Sequence, residues 1–449
     1  MVSISFPAGV KPASCWLRAG LTLVAAVCVV STAHSEGLFS RHKKEAEVQP
    51  PPRPAIVPSQ PPAFSIPVEP LGFFAPGAIY QGQRESLASL DFLDEDHLLF
   101  TFHAPGLIRR EGNPNIHGDE RQIRAVAIAL PQGTVTAEAL WTLHDRGRYL
   151  WMLHDGHFLL RSQSDLQVGD RSLELRPSAH FQGPLLWLET DPTQQWIVTN
   201  SREPADSKPG QGDVPNPATA LADITTSTLP APSKPDIVLR ILQRQTGHVM
   251  LVSRARGPLH LPINADGYLE ALRGKGREWI INLNFFAGGN RIIGKVDSAC
   301  TPALEFVSQR EVMATTCNAD GSRWMLALST EGKVLWSAAS LTTQIWPRLI
   351  SSPNGLRIAR ETLLVTHSVD ATSPLSFEDV KAQVVEVYDA ADGKRTLMVP
   401  ASPVLDGGGN VAFSPSARRV AVLNMGSIQV FELPEPAPLP QTDIKTSAR

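Results

Sequence analysis

Near its end the chain reads VAFSPSARRVAVLNMGSIQVFELP, Val411 to Pro434, and this stretch limits the possible folds more than any other. It breaks into three short apolar runs separated by a turn at Ser414 to Ala417 and a second turn around Met425 to Ser427. Runs this short, rich in Val, Ile and Phe and bounded by Gly, Pro and Ser, predict strands rather than helices. The pattern recurs in RLISSPNGLRIA, Arg348 to Ala359, where Ser352 to Gly355 stand in the turn, and in NADGSRWMLAL, Asn318 to Leu328, where Asp320-Gly321 do. TDPTQQWIVT, Thr190 to Thr199, and LDFLDEDHLLFTF, Leu90 to Phe102, are weaker copies. One such unit leaves an apolar face open to water, so neighbouring units must stack to cover it.

The turn-then-strand unit resembles the repeat of WD-repeat-like β-propellers, whose blades carry an "FSPDG" turn between their first two strands. The resemblance extends to the degenerate and quinoprotein-like members of that superfamily, of the exported bacterial type. It spans residues 70–434 and is strongest in the last three repeats. None of the five copies quoted ends in Trp-Asp or carries a Gly-His pair. The expected fold is an all-β propeller of seven four-stranded blades, with six or eight also compatible, closed by an N-terminal strand. Ala75 to Tyr80 is the expected closing strand, pairing beside Ile428 to Leu433 and removing two open edges.

Composition sets the outer bounds. A chain of 449 residues is too long for one small core and suits a multi-blade ring with tails. A net charge of −3 leaves no footprint for nucleic acid. Lys11 and Arg18 followed by the apolar run Leu21 to Ala33 and the small-x-small site Ala33-His34-Ser35 predict a signal peptide, residues 1–35, cleaved after Ser35. That run is short for a span, which needs about 20 apolar residues. The expected destination is the periplasm or the exterior, with no transmembrane span after cleavage. Cys300 and Cys317 would then be the cysteines left, and their spacing around one hairpin suggests a disulfide. Closing such a loop contributes about 3 kcal/mol in the chain-entropy model. Two buried free thiols are the alternative.

Residues 36–70 read as a Pro-rich disordered tether and 71–434 as the propeller. Residues 203–235, poor in large apolar side chains, are expected as a mobile loop, and 435–449 as a disordered tail. The blades are expected at Leu87 to Leu130, Gln132 to Val168, Leu173 to Ser253, Leu259 to Val296, Leu304 to Ala338, Trp346 to Pro400 and Asn410 to Leu433.

Several clusters invite a chemical reading. His144-Asp145 and His154-Asp155-Gly156-His157 combine imidazoles and carboxylates that suit metals or proton transfer, but Asp-Gly also makes the commonest tight turns. Strand alternation would send His154 and His157 to opposite faces. Arg273, Lys275 and Arg277, spaced by glycines, could cradle an anion or simply form a solvated hairpin tip. Asp406 to Gly409 could meet a cation or merely link two blades. No Gly-x-Ser-x-Gly or His-Glu-x-x-His occurs, and the vicinal cysteines and tryptophan-docking repeats of quinone enzymes are missing. The tryptophans, among them Trp141, Trp151, Trp187, Trp196, Trp279, Trp324, Trp336 and Trp346, are expected to pack between sheets.

No catalytic, cofactor-binding or metal-ligating residue is therefore assigned, and no cofactor. The expected function is an exported, monomeric, non-catalytic propeller that binds a protein, peptide or glycan in the cell envelope. The alternative is a propeller enzyme of lyase, glycosidase or quinoprotein type, its residues meeting at the central channel.

Overall fold

The computed structural model describes residues 58–74, 88–109, 120–143, 148–203, 237–257, 259–368, 377–405 and 408–436. They form seven antiparallel sheets, each of which is one blade of a β-propeller. The first strand, β1 (Phe64–Pro67), stands apart from the blade that follows it. Blade 1 is β2 (Ala88–Asp94), β3 (His97–Arg109), β4 (Glu120–Ala129) and β5 (Thr134–Leu143). Blade 2 is β6 (Leu150–Met152), β7 (Phe158–Ser162), β8 (Asp165–Gly169) and β9 (Leu175–His180). Blade 3 is β10 (Leu185–Thr190), β11 (Trp196–Arg202), β12 (Ile237–Gln243) and β13 (Val249–Ala255).

Blade 4 has three strands, β14 (Gly267–Arg273), β15 (Glu278–Phe285) and β16 (Asn290–Asp297), and its innermost position is reduced to a bridge between Ile263 and Tyr268. Pro262 at that place has no N–H to offer a ladder, which shortens the pairing there. Blade 5 is β17 (Ala303–Phe306), β18 (Glu311–Cys317), β19 (Arg323–Ser329) and β20 (Val334–Ser340). Blade 6 is β21 (Gln344–Ser351), β22 (Arg357–Val365), β23 (Val380–Asp389) and β24 (Arg395–Ala401). Blade 7 joins β25 (Val411–Phe413), β26 (Arg419–Asn424) and β27 (Ser427–Glu432) to β1, which supplies its outermost strand.

The closing strand is thus Phe64–Pro67, paired from Phe64 with Val430 to Pro67 with Ser427, and not the expected Ala75 to Tyr80, which lies outside the described residues. Its alternation is the reason: Ile66 turns inward at 4% exposure while Ser65 and Pro67 face out. The strand therefore falls inside the segment expected to be a tether. Two phase errors are also corrected. Thr134–Leu143 is the outer strand of blade 1 rather than the opening of blade 2, and Leu175–His180 closes blade 2 rather than opening blade 3. Asp320-Gly321 lies between the second and third strands of blade 5, whereas Ser352 to Gly355 and Ser414 to Ala417 lie between first and second strands. A Gly-containing turn suits any hairpin, so it does not report the phase of the repeat.

The genuine repeat turns share a mechanism. Ser352 Oγ accepts from the Arg357 N–H at 2.9 Å, Ser414 Oγ from Arg419 at 3.2 Å, and Asp191 Oδ1 from Trp196 at 2.8 Å. The fourth turn residue is left-handed in each, at Gly355, Ala417 and Gln194.

Among the described residues an apolar wedge fills each seam between successive blades. The wedge between blades 7 and 1 gathers Ile66, Phe73, Phe100, Phe102 and Ile428, with ring centroids 5.0 to 5.4 Å apart among the three phenylalanines. Each fully buried ring stabilises the seam by about 1.5 to 3 kcal/mol. Trp141, Trp151 and Trp336 pack in seams as expected, but Trp187 and Trp324 are 42% and 43% exposed. No helix among the described residues is long and apolar enough to cross a membrane.

Candidate functional site

The first strand of each blade runs beside the channel, and successive side chains on a strand alternate between seam and channel. On β2, Leu90 and Phe92 enter the wedge, so Ser89 and Asp91 face inward. The same alternation places Arg148 just ahead of β6, Glu189 on β10, His260 ahead of the Ile263 bridge, Glu305 on β17 and Arg348 on β21. Six consecutive blades each contribute one charged side chain, and the signs alternate: Asp91, Arg148, Glu189, His260, Glu305, Arg348. The seventh position is Gly408-Gly409.

Electrostatics shows that they converge. Arg148 is influenced by Arg348, Asp91, Glu305 and Glu189, which belong to blades 6, 1, 5 and 3. Only the axis of the ring brings those blades together. Burial and then Arg348 lower the Arg148 guanidinium to about 10, while the three acids oppose that drop. Its side chain still reaches channel water, so enclosure by the ring rather than contact burial is the cause. Burial pushes Asp91 up to about 6 against the Ser89 hydroxyl, which donates to it at 2.6 Å, and against both arginines. Burial likewise pushes Glu305 up to about 7, with His260 opposing and Glu189 adding.

His260 moves the other way. Burial lowers its value, but the bond to Glu189 overcomes that and raises it to about 8. Nδ1 meets Glu189 Oε1, and Nε2 lies 3.1 Å from the Leu304 carbonyl. Two acceptors, one on each ring nitrogen, suit an imidazolium, which donates from both. Trp187 Nε1 donates to the same Glu189 oxygen at 2.7 Å. One hydrogen-bonded chain thus ties the inner edges of blades 3, 4 and 5.

Gly408 and Gly409 complete the ring for a steric reason. A Cβ on Gly408 would stand 2.1 Å from Arg348 Nη1 and 2.7 Å from Glu361 Oε2, and one on Gly409 would stand 2.1 Å from the Ala88 carbonyl. Both have positive φ, +71° and +109°. Arg348, Glu361, Thr362, Gln383, Leu405 and Gly408 line a small pocket between blades 6 and 7. Burial pushes Glu361 up to about 7 there, against Arg348.

The clusters named from sequence fall elsewhere. His154 to Gly156 form the turn between β6 and β7, where the His154 N–H donates to Gln194 Oε1 and Asp155 accepts from Arg244 at 3.0 Å. Arg273, Lys275 and Arg277 sit at the tip of the β14–β15 hairpin, with Arg277 3.1 Å from Asp297 and Arg273 over the Trp279 ring. His144, Asp145, Asp406 and Gly407 lie outside the described residues, as does the expected loop apart from Glu203. Glu203 is buried and receives two bonds from Arg240, at 2.7 and 3.0 Å, so the chain is still anchored there. The Cα atoms of Cys300 and Cys317 are 5.8 Å apart beside Ser298, whose hydroxyl accepts from the Cys317 N–H at 3.1 Å. Among the described residues no three His, Cys, Asp or Glu side chains come close enough to hold a metal ion.

Sequence reasoning did not single out the six channel residues. The available signal was a lone ionisable residue within the first run of each unit, as in LDF, WLET, HLPI and LEF. Without the sheet order nothing relates those positions to one another.

Seven closed blades around a charged channel make this chain a β-propeller. No protein-family model matches it, and no curated protein does. Among solved structures it is similar to a chain of the mitotic checkpoint complex, at 11% identity over 92% of this chain and 98% of that one, with a TM-score of 0.42. It is also similar to Chaetomium thermophilum Sqt1 bound to the N-terminus of ribosomal protein L10, at 11% identity over 79% and 99%, with a TM-score of 0.38. A third similarity is to Pyrococcus horikoshii acylaminoacyl peptidase, at 8% identity over 75% of this chain and 48% of that one, with a TM-score of 0.43. This chain therefore spans about half the length of that peptidase.

Proposed function

We propose that this protein is an exported, monomeric propeller that binds a protein, peptide or glycan in the cell envelope without transforming it. The observation that carries the reading is the channel ring, in which three acidic and three basic side chains alternate. Alternation lets each charge answer its neighbours, which suits recognition of a polar partner more than activation of one nucleophile. Export is supported by the apolar run Leu21 to Ala33 and the site at Ser35. The placement of Cys300 beside Cys317 supports a disulfide formed after export.

Expression with its own leader in a Gram-negative host tests these points together. The mature N-terminus should be Glu36, the chain should fractionate with the periplasm or medium, thiol titration should find no free cysteine, and light scattering should give the monomer mass. Affinity capture from envelope extract should return a reproducible partner. An intact leader in the cytosol would overturn the export reading, and repeated failure to capture anything would overturn the binding one.

One observation favours the enzyme reading. Asp91 and Glu305 face one channel with carboxyls raised to about 6 and about 7, the range of a general acid. Turnover of any captured ligand would establish it.

A further inference from the structure

We propose that the channel mouth is a saccharide site, in which a short uncharged carbohydrate lays one ring face on the indole of Trp187 and hydrogen-bonds to Arg148 and Glu305. This deepens the binding reading above and rests on it.

Three observations carry the assignment. The first is charge balance. With three acids and three bases alternating around the channel, a simple anion or cation meets attraction and repulsion from adjacent blades, and the two largely cancel. Guanidinium groups only donate and carboxylates only accept, whereas each hydroxyl of a sugar does both. A polyol can therefore satisfy neighbouring blades at once.

The second is the orientation of Trp187. It lies two residues before Glu189 on β10, hence on the channel side, and is 42% exposed in a protein that buries Trp141, Trp151 and Trp336. Its N–H is already held by Glu189 at 2.7 Å, and the His260 ring meets it edge-on at 6.3 Å. What remains available is a fixed apolar ring face beside polar groups. Such a surface suits the C–H face of a sugar, and fixing the indole in advance lowers the ordering cost of binding.

The third is the two open groups. Arg148 is anchored by a 3.0 Å bond from Nε to the Leu150 carbonyl and by its place 5.2 Å over the Trp151 ring, and its terminal nitrogens have no hydrogen-bond partner among the described residues. The Glu305 carboxylate has none either, in contrast to Glu189 and Asp91, which are already bonded. A donor fork on blade 2 and a carboxyl on blade 5 are thus left in the channel, with the donor fork within electrostatic reach of the Glu189 that holds the indole of blade 3. An amino-acid zwitterion would also match these charges, but it would leave the indole face uncovered.

Calorimetric titration of the full chain with N-acetylglucosamine, maltotriose and chitotriose, and with glycylglycine as a dipolar comparator, tests the assignment. At least one saccharide should bind in the millimolar range or tighter, and glycylglycine should not. Trp187→Ala should weaken that binding at least about tenfold, while Trp187→Phe, which keeps a ring face, should lose less. Arg148→Gln and Glu305→Gln should each weaken it by about threefold or more. Trp324→Phe, on the third strand of blade 5, should leave it unchanged. Circular dichroism and melting of every variant separate lost binding from lost fold.

Absence of saccharide binding, binding of glycylglycine alone, or unchanged affinity in a folded Trp187→Ala protein would overturn the proposal. A captured envelope partner together with negative saccharide titrations removes the sugar site and leaves the scaffold reading intact. Release of reducing ends from the trisaccharides keeps the site and removes the non-catalytic reading.

Discussion

The seam between blades 7 and 1 and the seam between blades 3 and 4 achieve the same closure by different means. Among the described residues, nineteen buried apolar side chains fill the first, including four from the N-terminal segment, Ile66, Val68, Leu71 and Phe73. Six fill the second. There the amide of Asn200 works instead, donating to the Leu259 carbonyl and accepting from the Leu259 N–H, both at 3.0 Å. Asn264 and Gln309 repeat the device one blade on, with Asn264 Nδ2 donating to the Gln309 carbonyl at 3.0 Å and the Ala265 N–H donating to Gln309 Oε1 at 2.8 Å. The Cys300–Cys317 pair sits in the same region, beyond β16. Where Pro262 and a shortened inner strand reduce ladder and wedge together, side-chain clamps replace them. Neither kind of closure titrates by itself, since apolar groups and amides keep one protonation state; sensitivity to pH enters a seam only where an ionisable group is buried in it.

The sharpest way to break the contrast is to empty the closing seam. Phe100→Ala should cost about 3 to 5 kcal/mol in denaturant unfolding, because the ring is fully buried and its neighbours are rings that cannot collapse onto the space. A loss below about 1 kcal/mol would mean that the seam repacks and that closure does not depend on it. Next in size, reduction of the Cys300–Cys317 pair or Cys317→Ser should lower stability by about 3 kcal/mol, read as a shift in urea midpoint that appears only under oxidising conditions in the parent.

Glu361 tests the sensitivity of the seam between blades 6 and 7. Its carboxyl is raised by burial to about 7, so the folded state holds a proton that the unfolded chain releases near the ordinary value of 4.5. Stability from this group is therefore greatest below about 4.5 and falls as pH rises through 7, by about 3 kcal/mol in all. Glu361→Gln should unfold at higher urea than the parent at pH 8 and show no such gain at pH 4.5. The smallest expected effect is at the polar seam: Asn200→Ala should cost about 1 to 3 kcal/mol, since both backbone groups of Leu259 lose their partner. If it costs as much as Phe100→Ala, the two seams do not differ in kind.

The polar links also carry opposite signs of pH dependence. His260, raised to about 8, holds Glu189 most firmly below about 6.5 and releases it as pH rises through 8. Burial raises Glu203, but the bonds from Arg240 and Ser201 outweigh it and leave the carboxyl below its ordinary value. That pair contributes above the ordinary range and is lost on acidification.

Much of the fold was legible in the runs themselves. The blade containing Val411 to Glu432 was readable because its central strand RVAVLN is buried on both faces and its turn is capped by Ser414. Blades 1 and 2 were read one strand out of phase, because TVTAEALWTL and LRPSAH look alike as outer strands and no local signal says which sheet accepts them. Ser65 and Pro67 in FSIP masked the closing strand, since a single inward Ile66 between polar or cyclic residues resembles a linker.

The amino-acid order by itself determined the strand character of the chain and the positions of the capped turns, because these depend on side-chain period and on residues within reach of one another along the backbone. The count of seven among six, seven or eight compatible blades came from the sheet order. Tertiary structure alone decided which terminal segment latches the ring and which charges meet on its axis. Asp91 and Arg348 are separated by most of the propeller in sequence and come within electrostatic reach because closure brings the first and sixth blades round to one channel. That proximity is a property of the completed circle, and no window of sequence contains it.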